Sequence, residues 1–286
     1  MFKFKTELTK LQKDVMFHKS TERAFTGEYD NFYDQGEFVC RNCGKALFSS
    51  KAKFDAGCGW PAFDDTYPGA VKEIRDADDR RTEIVCANCD IHLGHVFTGE
   101  QITAKNTRHC VNSASIRYVK EATSKVSSIV VGCGCFWGVE HWFKKLEGVL
   151  ATTVGYSGGE SENPTYEQVC TGRSGHREVL KVDYDPKIVG YEELLKLFFS
   201  IHDFEQTDGQ GNDRGIQYQS VIFCKSEKEK EMAERLMVEL TQKGYKVATE
   251  ILDEKPFYAG EMYHRDYYDK NGKTPYCHFF KSVFEI

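Results

Sequence analysis

No stretch of the 286 residues runs for about 18 apolar residues, so no helix that spans a membrane is expected. A basic surplus is also missing. The formal net charge is −6, which argues against a general nucleic-acid binder. The first residues, MFKFKTELTKLQKDVMF, hold no apolar leader and no small-residue cleavage site. The expectation is a mature cytoplasmic protein with neither membrane nor nucleic-acid partners. The chain shows no internal repeat, and its halves share no period. Hydrophobic residues make up 40% and charged residues 29%, which suits folded protein rather than disorder, and the length suits two domains.

What the chain has in excess is cysteine. Eleven are many for a reducing compartment, where such density points to metal, catalysis or redox sensing rather than a disulfide framework. Cys40/Cys43 and Cys86/Cys89 form two CxxC knuckles. Four thiolates on two tight turns can surround one tetrahedral zinc. Such a zinc would be structural, one per chain, because four cysteine ligands leave no open position for a substrate. Two redox-active CxxC pairs, or four ordinary buried cysteines, are the competing explanations. Cys58 and Cys110 stand alone, Cys133 and Cys135 form a CxC, and Cys170, Cys224 and Cys277 are scattered later.

Residues 1–120 are rich in Gly, Asp and turn signals, with short alternating runs such as TEIVC and ASIRYV, a β-rich pattern. A polar linker is expected over 121–127, within KEATSKVSS. From 128 to 286 strands and helices alternate, as in an α/β or α+β domain. SIVVGCG, REVLKVDYDP, QSVIFC and YKVATEIL read as strands, and FWGVEHWFKKLEG and YEELLKLFFSIHD read as helices. Ser226 and Glu229 form a capping box that opens the helix EKEKEMAERLMVELTQK, and Gly244 closes it.

Three separated motifs in the first domain carry a resemblance. Cys58-Gly-Trp60-Pro-Ala-Phe63, His92-Leu-Gly-His95-Val-Phe97 and Arg108-His109-Cys110-Val-Asn112-Ser113 are similar to the signature of B-type methionine sulfoxide reductases, over residues 7–120. The two knuckles fall where that family carries its zinc. The resemblance implies that Cys110 attacks the sulfoxide sulfur, leaving a sulfenic acid and releasing methionine. Arg108 and His109 are then candidates to lower the Cys110 pKa. His92 and His95 can protonate the departing oxygen, Trp60 offers an apolar face to the substrate methyl group, and Asn112 orients. Cys58 is the resolving cysteine that condenses with the sulfenic acid. Family members commonly carry an aromatic residue where this chain has His109.

The second domain carries another resemblance. Gly134-Cys135-Phe136-Trp137-Gly138 follows an expected strand and opens a helix, where the helix dipole favours thiolate. The motif resembles the nucleophile of A-type methionine sulfoxide reductases, and matching stretches follow in family order to about residue 280. This implies that Cys135 is the nucleophile, that Phe136 and Trp137 wall the methyl pocket, and that Glu178 is the acid, with a pKa raised by burial. Tyr166 and Tyr218 donate to the sulfoxide oxygen, and Asp213 supports the pocket. Cys277, in Thr-Pro-Tyr-Cys, sits where the family often carries a resolving cysteine, on an expected mobile tail. Cys133 is expected to be a buried bystander.

The resemblances imply two folds: a mainly-β, zinc-stapled sheet domain followed by an α/β two-layer plait. They also imply reduction of R- and S-sulfoxides of methionine, free or in proteins, with thioredoxin as reductant. A thiol peroxidase or disulfide oxidoreductase would use activated cysteines too, but a peroxide has no methyl group that needs Phe136, Trp137 or Trp60. A non-enzymatic zinc module would leave Cys110, Cys135 and Glu178 idle.

Overall fold

The computed structural model describes residues 2–5, 7–76, 80–120 and 126–284. Residues 7–120 form one compact unit, and residues 126–284 with residues 2–5 form a second. Of the segment read as linker, residues 121–125 lie outside the described residues, Val126 is exposed, and Ser127 already opens a strand.

The first unit is built on two antiparallel sheets. The smaller has the order Ala46–Ser49, Gly36–Cys40, Ile116–Lys120. The larger has the order Lys53–Phe54, Ala62–Phe63, Thr107–Val111, His92–Thr98, Thr82–Cys86, Val71–Arg75. Phe38, Leu47, Phe48, Phe63, Ile84, Leu93 and Val111 are fully buried between them. Each such side chain contributes roughly 1.5–3 kcal/mol of burial. The β-rich pattern of this region marks no helix, yet Lys10–His18 is one. Thr9 and Gln12 form its capping box, and Val15 and Met16 face the core. Both knuckles sit where a strand ends, Gly36–Cys40 for one and Thr82–Cys86 for the other.

The second unit has a six-stranded mixed sheet with the order Glu250–Asp253, Val221–Cys224, Ser127–Gly132, Arg177–Tyr184, Val149–Ser157, Tyr258–Ala259. Only the first pair is parallel. Ile129, Val131, Leu180 and Val182 point to one face, where they meet Phe136 and Phe143, Leu194 and Phe198, and Leu236 and Leu240 of three helices. Val130, Val179, Val221 and Phe223 form a smaller cluster on the other face. This alternation along each strand makes the two-layer arrangement.

Two elements are shorter than their patterns suggest. The helix expected from FWGVEHWFKKLEG stops at Phe143, because its last residues pair with the N-terminal segment. Phe4 bridges Leu146, and Glu147 donates its N–H to the Lys3 carbonyl at 2.7 Å. Residues 2–5, read with the first domain, therefore pack in the second unit. The strand expected from YKVATEIL begins only at Glu250. Upstream, the N–H groups of Lys246 and Ala248 are taken by Glu205 and the Phe204 carbonyl. Helix Glu227–Gln242 has the expected Ser226 cap, which accepts from Glu229 N–H, but the Glu229 carboxylate turns to Lys225 N–H rather than Ser226. Gly244 follows with φ +94°. Among the described residues, no helix is long and apolar enough to cross a membrane.

Candidate active sites and a candidate metal centre

The sulfur atoms of Cys40, Cys43, Cys86 and Cys89 all lie within 4.8 Å of one another, and all four residues are buried. Cys40 to Cys89 and Cys43 to Cys86 are both 3.6 Å. A tetrahedron with metal–sulfur bonds near 2.3 Å has edges of about 3.8 Å, so the donor set fits a single ion. The knuckle turns are closed by Gly44 at φ +75° and Asp90 at φ +57°. Their N–H groups donate to the carbonyls of Cys40 and Cys86, at 2.9 Å each.

Cys110 lies in the strand Thr107–Val111, opposite Ala62 on one side and His95 on the other. Strand alternation puts Arg108 and Cys110 on one face and His109 and Val111 on the other. Cross-strand pairing brings His95 and Phe97 to the Cys110 face. Trp60, Gly94, His95, Phe97, Cys110 and Asn112 line a cavity of about 110 Å³ there. Gly94 is required at its position, since a Cβ would sit 2.0 Å from the Cys110 carbonyl oxygen. Cys58 Sγ lies 3.8 Å from Cys110 Sγ. The hydrogen bond from Cys110, helped by Arg108, brings the Cys58 thiol down to about 6, and the same bond holds the second proton of the pair on Cys110. Arg108 is itself held by two bonds to Glu100, at 2.7 and 2.8 Å, and lies over the Phe97 ring.

The two histidines differ. His95 lines the cavity and donates from Nε2 to Asp76 at 3.2 Å. His92 is buried, and burial lowers its pKa against the pull of Glu83. Its Nδ1–H donates to Glu83 at 2.7 Å, and Lys19 pairs with the other Glu83 oxygen. His109 also departs from expectation. It faces the core, donates from Nδ1 to the Phe63 carbonyl at 3.1 Å, and burial lowers its pKa, so it brings no positive charge to Cys110.

Glu22, which no sequence pattern marked, fixes the cavity wall. Its buried carboxylate accepts from the N–H groups of Ser113 and Ala114 at 2.6 and 2.9 Å. Its own N–H donates to Asn112 Oδ1, and its carbonyl accepts from Trp60 Nε1. Asn112 thus holds the wall in place, with its amide donating to the Leu93 carbonyl at 3.1 Å.

In the second unit Cys135 is the N-cap of helix Phe136–Phe143. Gly134, at φ +100°, lets the turn pass over Gln210, where a Cβ would come within 2.5 Å. Glu178, on the strand Arg177–Tyr184, accepts from the Phe136 N–H at 3.1 Å. Only 2% of Glu178 is exposed, and burial pushes its carboxyl up to about 8. The helix dipole does not win at Cys135. Burial first, and the Glu178 charge second, push that thiol up. The phenols of Tyr166 and Tyr218 are raised by burial and also feel Glu178. Asp213 accepts from Tyr276 OH at 3.1 and 3.0 Å.

Phe136 is buried against His264 and Tyr156, and Trp137 stacks on Tyr267 with centroids 3.7 Å apart. Sequence reasoning missed the hub that orders these rings. His264 accepts from Trp137 Nε1 at 3.2 Å and packs against the Tyr166 ring. Glu261 accepts from Tyr156 OH at 2.7 Å and from Tyr166 N–H at 2.8 Å. Cys277 is buried rather than carried on a loose tail. Its carbonyl accepts from Gln210, and Lys281 N–H donates to the Ser200 carbonyl at 2.7 Å. Cys133 is fully buried, as expected.

Comparison with known proteins divides the chain at the same place. A family model described as peptide methionine sulfoxide reductase matches residues 127–285. The chain belongs to this family. A SelR domain matches residues 8–120. Reduction of methionine sulfoxide, with both stereospecificities, is the activity that this pair of reductase domains carries. The peptide methionine sulfoxide reductase MsrA of Nautilia profundicola is 49% identical over 148 residues, which is 52% of this chain and 86% of that protein. The Sulfolobus acidocaldarius MsrA is 47% identical over 148 residues, covering 51% and 84%. The crystal structure of Mxr1 from Saccharomyces cerevisiae in reduced form matches with a TM-score of 0.52 and 36% identity, over 57% of this chain and 96% of that one. The peroxidase and binding-module alternatives are thereby set aside.

Proposed function

We propose that each unit of this reductase works one diastereomer at its own thiol: Cys110 reduces R-sulfoxides and Cys135 reduces S-sulfoxides. The observation that carries this is the pairing, in each unit, of one candidate nucleophile with its own proton donors: His95 opposite Cys110, and Glu178 beside Cys135. In the first unit the Cys58–Cys110 pair shares a proton across 3.8 Å, so its negative charge is available to Cys110 when substrate arrives. His95 is the donor within reach of the cavity, with Arg108 close by, while His92 holds the strand through Glu83. Trp60 packs the methyl group and Asn112 shapes the wall.

In the second unit Glu178, neutral near pH 7, protonates the oxygen as the Cys135 sulfur attacks and takes up the Cys135 thiol proton in exchange, with Tyr166 and Tyr218 donating beside it. Phe136 and Trp137 supply the apolar wall, and Asp213 anchors it. Each turn converts a thiol and a sulfoxide into a sulfenic acid and methionine. Cys58 and Cys277 then close disulfides, releasing water. A dithiol of the thioredoxin class resets both by exchange, and free or protein-bound methionine sulfoxide is the substrate. The four-cysteine cluster holds one structural zinc, which cross-links the strand ends of the first unit. We place the domain boundary within residues 121–127 and the protein in the cytoplasm, where its thiols stay reduced.

The test is separate assay of the two diastereomers. Cys110→Ser is expected to abolish R-reduction and keep S-reduction, and Cys135→Ser the reverse. Loss of both activities in either single variant would end the two-site reading.

A further inference from the structure

The segment after Tyr276 holds a histidine that none of the roles above uses. His278 is buried and sits beside Cys277, with Cys277 Sγ 3.0 Å from its Nδ1. Its Nε2 lies 2.7 Å from the Cys133 carbonyl oxygen. A carbonyl can only accept, so Nε2 carries the hydrogen and Nδ1 presents a bare lone pair to the thiol. The ring is seated by glycine. A Cβ on Gly138 would lie 2.1 Å from Nδ1, and one on Gly134 would lie 3.4 Å from Cε1. The Trp142 indole N–H donates to the His278 carbonyl at 3.4 Å, and Gln210 holds the Cys277 carbonyl. The imidazole is thus fixed between the turn that carries Cys135 and the thiol of Cys277.

We propose that His278 is the base that takes the thiol proton of Cys277 as Cys277 closes the disulfide with Cys135. This rests on the reading of Cys277 as the resolving thiol. The S–S bond forms as the S–O bond of the Cys135 sulfenic acid breaks, so the Cys277 sulfur is oxidised and the Cys135 sulfur reduced. The thiol proton passes to His278 Nδ1. The hydroxide leaves as water with the proton of Glu178, and His278 later returns its proton to Glu178 through solvent. Burial pushes Cys277 up to about 12 and His278 down to about 4. The thiol therefore does not ionise unaided near neutral pH, and the imidazole stays free to accept. Transfer accompanies bond formation rather than preceding it.

Other titratable groups face the pair. Asp213 and Glu178 raise Cys277, and Tyr268, Tyr276, Cys133 and Cys135 feel its charge, while His141 acts on His278. Asp213 is the rival base, since Cys277 also bonds to it and the single hydrogen of Tyr276 OH leaves its oxygens lone pairs to spare, so the test includes an Asp213 variant.

The test is a rapid-quench single turnover of the full chain with methionine S-sulfoxide, following methionine release and the Cys135–Cys277 disulfide separately. His278→Asn is expected to release methionine at the wild-type rate, which also reports correct folding. Its disulfide should close more slowly by on the order of 10² at neutral pH, with sulfenic acid trapped by dimedone. Closure in this variant should then rise about tenfold per pH unit between pH 7 and 9, as expected for a bare thiol, while wild-type closure rises less steeply. A purely structural role would not change that slope. Closure in His278→Asn with the wild-type rate and slope overturns the inference, as does the loss appearing in Asp213→Asn instead. Cys277→Ser separates the two readings. In that variant Cys135 should form no disulfide with any other cysteine and should stay as trappable sulfenic acid at every pH, and closure of Cys135 onto another thiol at the normal rate would remove Cys277 as resolver whatever His278 does.

Discussion

The two sulfur sites do the same chemistry from opposite starting points. Cys110 sits in mid-strand on a half-open face, with its partner sulfur already 3.8 Å away and Arg108 beside it. Cys135 caps a helix in a closed site, beside a carboxyl that burial keeps protonated to about pH 8. The first site lowers the cost of charge by sharing one proton between two sulfurs. The second postpones charge: nucleophile, acid and resolving thiol are all held neutral until substrate is present. An open site can use a positive neighbour, whereas a buried one needs a proton donor with a raised pKa.

The sharpest way to break this comparison is to remove the metal, which is expected in one unit only. Cys86→Ser, or exhaustive chelation, should release about one zinc per chain and abolish R-reduction while S-reduction persists. Binding of a structural zinc is worth on the order of 10 kcal/mol, comparable to the whole net stability of about 5–15 kcal/mol that a domain keeps in reserve. Metal content together with the two diastereomer assays decides it. Equal loss of both activities would mean that the units do not stand apart.

The next largest effect belongs to the second site. Glu178→Gln is expected to slow S-reduction by about 10²–10⁴ and to leave R-reduction unchanged. The sign of the pH dependence follows from the raised pKa. The acid form is present below about 8 and is lost as pH rises through that value, so the wild-type rate falls there. The variant has no proton to lose and should lack this fall. A wild-type profile that is flat across pH 7–9 would remove Glu178 as the donor.

How much of this was legible in the sequence depends on the kind of link. The knuckles, Cys110 with Arg108, and Cys135 at a helix start are local patterns, and local spacing carries them. The mixed two-layer sheet was legible for the same reason, through runs such as SIVVGCG and QSVIFC. Glu22, Glu261 and His264 were not, because each acts through partners far along the chain or through the packing of a ring, and His278, although next to Cys277, is oriented by the Cys133 carbonyl 145 residues away. Glu22, for example, reaches Ser113 and Ala114. Burial was the other hidden quantity. The helix dipole at Cys135 can be read from the chain, but the desolvation that outweighs it needs the closed site.

A smaller effect should separate the two thiols by charge. Arg108→Gln removes the cation that favours the thiolate of the Cys58–Cys110 pair. The first titration of that pair, now about 6, should rise by about one pH unit, because a nearby opposite charge is worth that much or more. Thiolate absorbance near 240 nm would follow it. R-reduction at pH 6 should fall by about tenfold at most, and S-reduction should not move. A midpoint that stays in place would assign the stabilisation to the second sulfur alone.

The smallest expected effect tests strand alternation itself. His109 is one residue from Cys110, and that adjacency alone would make it a source of positive charge. Its side chain points the other way, between the Phe63 carbonyl and the Phe48 ring, whose centroid is 5.9 Å distant. His109→Phe keeps the ring and gives up one hydrogen bond, at a cost to stability of about 1 kcal/mol. R-reduction and the midpoint of the Cys58–Cys110 pair should both stay at wild-type values, whereas Arg108→Gln moves them. If His109→Phe raised the midpoint as far as Arg108→Gln does, the core-facing placement of His109 would be wrong, and the charge at the first site would come from both neighbours of the nucleophile.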